Sequence, residues 1–148
     1  MASVLGFSVA LAVQALARRG QWGPRAGVVG ALGAAGGMAL IAVGGARPSA
    51  AVFLAATALL GLAYGLCLRE GLLDVDEYTP PEKRGRVIGL YYVATYIGFG
   101  ISPLIAWITP RVGPSLPFAV FAVLAASSAL IRSAQIQRGY LVRGVVGG

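Results

Sequence analysis

The chain has 148 residues, of which 57% are hydrophobic and only 11% charged, and its formal net charge is +7. Soluble domains carry about 25% charged residues, so this composition argues against a water-soluble fold and indicates an all-α membrane protein. The absence of histidine excludes His-based catalysis and histidine metal ligands, and the lone Cys67 cannot form an internal disulfide. We therefore predict no enzyme activity, no metal and no cofactor.

Five apolar runs approach the length of about 20 residues that a membrane-spanning helix needs. We predict one transmembrane helix in each run: residues 2–17, 26–45, 50–68, 87–109 and 115–131. The third helix is expected to extend as far as residue 79, because Pro80 and Pro81 would stop it there. Residues 1–132 then form a helical bundle, and residues 133–148 form a cytoplasmic tail.

The charged residues are gathered between these runs. Four of the five acidic residues lie in "DVDEYTPPEKRGR", residues 74–86, which is predicted to be a loop. Charged side chains cost at least about 2.5–3.5 kcal/mol at the bilayer centre, so the loops are where they remain hydrated. Small basic groups between apolar runs fit a bilayer and argue against a nucleic-acid surface.

The basic residues also predict the orientation, since Lys and Arg accumulate on the cytoplasmic side. Ten of them lie in the first connection, in the third connection with Arg69, and in the tail from Arg132, against Arg47 and Arg111 on the other side. The N-terminus is therefore predicted outside and the C-terminus inside. Eleven of the twelve basic residues are Arg, which with the abundant Ala and Gly is typical of a GC-rich bacterium and favours a bacterial plasma membrane.

Glycines recur at four-residue spacing along three of the runs. Such pairs let membrane helices approach closely, although chance is a rival explanation in a chain with 22 glycines. The pairs are Gly33 with Gly37, Gly61 with Gly65, and Gly85 with Gly89, and the first two are predicted to be packing faces.

Residues 77–107, "EYTPPEKRGRVIGLYYVATYIGFGISPLIAW", resemble the major facilitator superfamily of secondary transporters. In that family, the loop after helix ten reads acid, spacer, proline, acid and Arg-Gly before helix eleven. The matching residues here are Glu77, Pro80, Pro81, Glu82, Arg84 and Gly85, followed by Gly98, Gly100 and Pro103.

A second segment, "QALARRGQWGPR" at residues 14–25, resembles a cytoplasmic loop motif of the same family. The fit allows two extra residues, and Gln14 and Arg18 replace the usual Gly and Asp. The missing Asp weakens any role for this loop in a charge relay. The residues that fit are Leu16, Ala17, Arg19, Gly23 and Arg25.

The resemblance implies that the chain is part of the C-terminal half of a twelve-helix bundle, covering helices eight to twelve. It implies transport of an unidentified small solute by alternating access, with a cavity near the midplane between two halves. The expected partners are the lipid bilayer, the solute and the missing N-terminal helices of the same transporter. The alternative is a five-helix membrane scaffold or subunit that associates through its Gly-rich faces and does not transport.

Three residues on the third helix are candidates for the substrate cavity. Arg69 and Glu70 lie about 28 Å along the run at ~1.5 Å per residue, close to the inner edge of a ~30 Å hydrocarbon core. They either face the cavity or mark the membrane surface. Tyr64 needs a hydrogen-bond partner if buried, which a substrate or a neighbouring helix carbonyl would supply.

The remaining candidates concern gating and the cytoplasmic loops. One helix face carries Tyr92, Tyr96, Phe99 and Pro103, at positions i, i+4, i+7 and i+11. This face is either a packing face or an interface with the other half, and Pro103 with Gly98 and Gly100 should bend the helix. Glu77 or Glu82 would pair with Arg84 or Arg86 as a latch, or all four are solvated charges. The gating and loop set is Arg19, Arg25, Glu77, Glu82, Arg84, Gly85, Arg86, Tyr92, Tyr96, Gly98, Gly100 and Pro103.

Overall fold

The computed structural model describes residues 2–20 and 22–140; residues 141–148 of the predicted tail lie outside the described residues. The regular structure of the described residues is helical throughout. The five helices are α1 (Ala2–Arg19), α2 (Arg25–Gly44), α3 (Ala50–Tyr78), α4 (Pro81–Val112) and α5 (Ser115–Gln137).

Four of these helices, α2 to α5, are long and apolar enough to cross a membrane by length and composition. The expectation of an all-helical chain with membrane-spanning segments is confirmed to that extent. The fifth predicted span, α1, is not among the four, because its 18 residues end on Arg18 and Arg19 and leave a shorter apolar stretch. That α1 also crosses the bilayer stays a prediction.

The helix ends differ from the expectation at two places. Only Thr79 and Pro80 separate α3 from α4, so the charged segment 74–86 forms two helix ends rather than a loop. Pro81 suits the first turn of α4, where its missing N–H leaves no intrahelical bond unmade. At the other end, α5 continues to Gln137, which places Arg132 on a helix instead of in the tail.

The contact between α1 and α3 depends on residues with little or no side chain. A Cβ added to Gly65 would lie 2.6 Å from the carbonyl oxygen of Ala10, and one added to Gly61 would collide with the backbone of Gly6. Two helices approach this closely only where side chains are absent. Gly61 and Gly65 therefore form the packing face that their spacing predicts.

The second glycine pair packs α2 against α3. A Cβ on Gly33 would lie 2.8 Å from Cδ2 of Leu62, and one on Gly37 would lie 2.9 Å from Cγ of Leu60. Gly33 and Gly37 are both buried. The prediction from their spacing is confirmed here as well, and α3 is the central helix, since α1 and α2 both pack on it and α5 packs on α2.

The interior of the bundle is built from small side chains. Of the eight hydrophobic residues that are buried in the described part of the chain, six are alanines, and the other two are Val13 and Leu66. Large side chains such as Phe7, Leu32 and Leu130 point outward and are more than half exposed. An apolar exterior around a small-residue interior suits a lipid solvent, in which helices associate by close packing rather than by burying large apolar groups.

Helix α4 stands largely apart from the other four. None of its described residues is buried, and it contacts α3 and α5 only weakly. Its link to α3 is Tyr91, whose hydroxyl donates to the carbonyl oxygens of Cys67 at 3.3 Å and Leu68 at 3.5 Å. Gly71 makes room for this ring, because a Cβ there would lie 2.6 Å from Cζ of Tyr91.

Candidate functional site

A cluster of four charged residues lies between α3 and α5, and we call it the charge cluster. Glu70 is 1% exposed and is the one buried polar residue among those described. It accepts a hydrogen bond from Nη1 of Arg69, and its Oε2 lies 3.7 Å from Nη2 of Arg132. Nη1 of Arg132 pairs with Oδ2 of Asp74 at 2.8 Å. Glu70 and Asp74 are four residues apart on a helix, so one arginine reaches both.

Arg132 also reaches a third helix. Its Nε donates to the carbonyl oxygen of Pro24, at 3.3 Å, immediately before α2. Gly27, one turn further on, leaves space for this side chain, since a Cβ at Gly27 would lie 2.9 Å from Cδ of Arg132. Arg132 therefore holds the ends of α2, α3 and α5 together.

The energetics of the charge cluster follow from its pairing. Taking an ion out of water costs several kcal/mol, and mutual attraction offsets this cost only where the geometry is good and further hydrogen bonds are made. Two acids and two arginines make the cluster neutral overall. Removing one arginine would leave an uncompensated charge in a low-dielectric interior, which is the expensive case.

The predicted latch has a different acid from the one expected. Arg84 pairs with Asp76, Nη1 to Oδ1 at 2.8 Å, and its Nη2 donates to the Asp76 carbonyl oxygen at 2.8 Å. Glu82 lies two residues before Arg84 on the same helix, a spacing at which side chains do not face each other. Glu77 is the next residue after Asp76, about 100° further around α3. Among the described residues, no ion pair joins Glu77 or Glu82 to Arg84 or Arg86, which favours the alternative that Glu77, Glu82 and Arg86 are solvated charges.

The Arg84–Asp76 pair is a surface pair. The two side chains are 39% and 64% exposed, and such pairs contribute about 0–1 kcal/mol. Arg86 is exposed, as are Arg19 and Arg25 at the connection between α1 and α2. In the described part of the chain, none of these three arginines makes a side-chain hydrogen bond or an ion pair.

Two cavities lie along the seam between α1 and α3. The larger, of about 440 Å³, is at the end where α1 and α3 begin, and its lining is almost wholly apolar. Tyr64 lines it and packs edge-to-face on Phe7, with ring centroids 6.3 Å apart. In the described residues, no hydrogen bond joins the Tyr64 hydroxyl to a carbonyl of a neighbouring helix. Tyr64 thus faces a cavity, and the occupant that would satisfy its hydroxyl stays a prediction.

The smaller cavity, of about 260 Å³, is at the opposite end of the same seam. Its lining is Gln14, Arg18, Leu68, Arg69, Leu72 and Leu73. Arg69 lines this cavity while its Nη1 donates to Glu70, which is the carboxylate that also faces Arg132 of α5. The three substrate-cavity candidates, Tyr64, Arg69 and Glu70, do not converge on one site.

The candidates on α4 are on the surface of the molecule. Tyr92 is exposed and Tyr96 is 68% exposed. Side chains added at Gly85, Gly98 and Gly100 would meet nothing within 4 Å. The helix runs through Pro103 and Pro110 as one element, and the bend expected near Pro103 stays a prediction.

Four residues that matter most were not among the sequence candidates: Asp74, Arg132, Tyr91 and Gly27. Asp74 follows Glu70 by four residues, a signal that was available. Arg132 lies where the tail is predicted to begin, although the residues after it continue a helical pattern. Tyr91 and Gly27 gave no local signal, because their roles depend on which helix lies opposite. Among the described residues, no group of three or more His, Cys, Asp or Glu is placed to hold a metal ion.

Comparison of the chain with protein-family models, with curated proteins and with solved structures found no match. The resemblance to the major facilitator superfamily therefore depends on the motifs at residues 14–25 and 77–107 alone.

Proposed function

We propose that this chain forms helices eight to twelve of a secondary transporter of the major facilitator superfamily, which moves a small solute across the bilayer by alternating access. The two motifs support one register along the chain. Four helices with the length and apolarity of membrane spans suit the same proposal. The missing partner in this proposal is the set of N-terminal helices of the same transporter.

The observation that carries the proposal is the exposure of α4. This helix has 32 residues, including Tyr92 and Tyr96, and its span is 0% buried. Tyrosine side chains are enriched at protein interfaces, so a helix that exposes two of them favours contact with further protein. In the family, helix eleven meets the other half of the transporter, and α4 holds that place in the proposed register.

The charge cluster suits a half that moves as one body. Arg132 joins α2, α3 and α5 at one end, and the close contact at Gly61 and Gly65 joins α1 to α3. Alternating access is largely rigid-body rocking of one helix bundle against another around a fixed site. We propose that these four helices form the rigid part and that α4 forms the moving interface.

The first test reads the genome upstream of Met1 in frame. We expect about seven further membrane helices there, as the twelve-helix family architecture requires. An unrelated gene ending just before a ribosome-binding site would contradict the proposal.

The second test is a photo-cross-link. A benzophenone amino acid replaces Tyr96 on α4, or Leu130 on α5 as a matched control that is 72% exposed, and the upstream helices are co-expressed. We expect Tyr96 to cross-link to them and Leu130 not to. Equal yields from the two positions would contradict the assignment of α4 to the interface.

The orientation is also part of the proposal, with the N-terminus outside and the C-terminus in the cytoplasm. Lys83 is exposed in the first turn of α4, so an amine reagent that cannot cross membranes measures its side directly. We expect Lys83 to be protected in intact cells and to react in inverted vesicles. Reaction of Lys83 in intact cells would contradict the predicted orientation and place the start of α4 outside the cell.

The alternative function is a non-transporting five-helix scaffold or subunit. The glycine pairs on α2 and α3 already pack against other helices of the same chain. Association between chains would therefore depend on α4, where nothing lies within 4 Å of a Cβ added at Gly85 or Gly89. A stable oligomer of defined size, formed in bilayers by this chain alone and lost in Gly89→Leu, would favour the scaffold over the transporter.

A further inference from the structure

The smaller cavity differs in chemistry from the rest of the bundle surface. Arg18, in the last turn of α1, and Arg69 on α3 line it from opposite sides. Gln14 lies one turn before Arg18 and adds an amide. Leu68, Leu72 and Leu73 complete the wall. The cavity is therefore amphipathic, with two guanidinium groups beside an apolar strip.

The two arginines have donors to offer. In the described residues, Arg18 makes no side-chain hydrogen bond or ion pair, and Arg69 donates to Glu70 through Nη1. A guanidinium has five N–H donors in a planar fork, so most of those on Arg69 are not used by Glu70. This fork matches the geometry of phosphate oxygens and binds them in bidentate fashion.

The size of the cavity limits what it can hold. At about 260 Å³ it falls just below the ~300–1,000 Å³ of sites that enclose small-molecule ligands. A phosphate with its glycerol fits such a volume, while long acyl chains would remain outside, along the leucines. Leu73 is 36% exposed, which continues the apolar strip onto the surface of the bundle.

The position of the cavity favours a lipid over a dissolved anion. Helix α1 packs mainly against α3, so the seam lies at the edge of the bundle, where lipid has access. Both arginines lie at the end where α1 terminates on basic residues, the end predicted to face the cytoplasm. Basic pockets between membrane helices on that side bind the headgroups of anionic lipids.

We propose that this cavity is a binding site for an anionic phospholipid, with the headgroup phosphate held by Arg18 and Arg69 and the acyl chains lying along Leu72 and Leu73. Glu70 balances the charge of Arg69, so Arg18 supplies the net positive charge that selects an anionic over a zwitterionic headgroup. The test of this site measures lipid binding and does not depend on transport.

The experiment uses the full chain in nanodiscs of phosphatidylcholine with a minor share of phosphatidylglycerol, and native mass spectrometry counts the phosphatidylglycerol retained after extraction. Arg18→Gln removes the proposed contact. Arg19→Gln removes the same charge from the next residue, which is exposed and does not line the cavity. We expect Arg18→Gln to weaken phosphatidylglycerol binding about ten-fold or more, because it removes charge-assisted hydrogen bonds to the phosphate. Arg19→Gln should weaken it by no more than about five-fold, the general effect of one basic residue near an anionic surface.

Equal losses in the two variants would overturn the proposal, because they would show attraction to the basic end as a whole. Arg18→Lys keeps the charge without the fork and should fall between wild type and Arg18→Gln. If Arg18→Lys bound phosphatidylglycerol as tightly as the wild type does, bidentate recognition would be refuted. Inorganic phosphate at millimolar concentration is the last arm: it should not displace the lipid, and displacement would reassign the site to a free anion.

Discussion

The seam between α1 and α3 and the surface of α4 contain the same residue type in opposite circumstances. Along the seam, Gly61 and Gly65 lie directly against the backbone of α1, so that even a methyl group would collide. On α4, Gly89 and Gly98 have open space around them. Glycine spacing therefore identifies a packing face only where another helix of the same chain lies opposite.

The difference also separates two kinds of stabilisation. Close contact at glycines joins α1 and α2 to α3, α5 packs on α2, and the charge cluster joins α5 to α3. The polar contacts that attach α4 to α3 are the hydrogen bonds of the Tyr91 hydroxyl and the exposed Arg84–Asp76 pair at the start of α4. We infer that the four helices unfold as a unit and that α4 detaches first.

The largest effect is expected from removing the arginine that joins three helices. Arg132→Met leaves Glu70 and Asp74 with one arginine between them, and breaking a buried pair costs about 3–5 kcal/mol. Because Arg132 and Asp74 are partly exposed, we expect the lower end, about 3 kcal/mol. Unfolding midpoints in detergent micelles measure this.

Arg111→Met is the matched control on α4. Arg111 lies 4.1 Å from the centroid of the Trp107 ring, a contact worth about 0.5–1 kcal/mol at an exposed site. Equal losses from the two variants would mean that the charge cluster adds nothing special to the bundle.

A second, smaller effect is expected from filling the seam. Gly65→Leu places a branched side chain against the Ala10 carbonyl, and overpacking costs about 1–3 kcal/mol. Gly89→Leu makes the same change on α4, where nothing lies within 4 Å, and should not destabilise the chain. Unfolding midpoints of the two variants distinguish them; a Gly89→Leu loss as large as that of Gly65→Leu would show that α4 is packed after all.

A third prediction concerns the link between α4 and α3. Tyr91→Phe removes the hydroxyl that donates to the Cys67 and Leu68 carbonyls, a loss of about 0.5–1.5 kcal/mol for one hydrogen bond. Hydrogen exchange of α4 amides should rise while that of α3 amides stays unchanged. Tyr92→Phe, on the exposed neighbour, is the control, and a matching rise there would place the link elsewhere.

The smallest effect is expected at the junction of α3 and α4. Arg84→Gln removes the exposed pair with Asp76 and should cost about 0–1 kcal/mol, decreasing with added salt. Arg86→Gln, which removes the same charge without a pair, should change nothing measurable. A salt-independent loss above that range would show that the Arg84–Asp76 pair is buried in the working protein.

The helices were predictable because the signals that define each one lie within its own segment of the sequence. Apolar run lengths, Pro80 and Pro81 identify five helices, and the spacing of Gly33, Gly37, Gly61 and Gly65 identifies two contacts. The charge cluster was not predicted, because its members are far apart in sequence: Arg132 lies 62 residues from Glu70, and only the packing of α2 and α5 brings it there. The latch acid was missed for a smaller reason, since Asp76 and Glu77 differ only in the direction they face on α3.

The acceptors for the Tyr91 hydroxyl are main-chain carbonyl oxygens, so these hydrogen bonds do not depend on which side chains occupy the accepting positions. Exchange of Cys67 or Leu68 for another helix-forming residue leaves both carbonyl groups where they are. Substitutions at these two positions therefore leave the acceptors in place, whereas loss of a single oxygen atom at residue 91 weakens the link between α4 and α3.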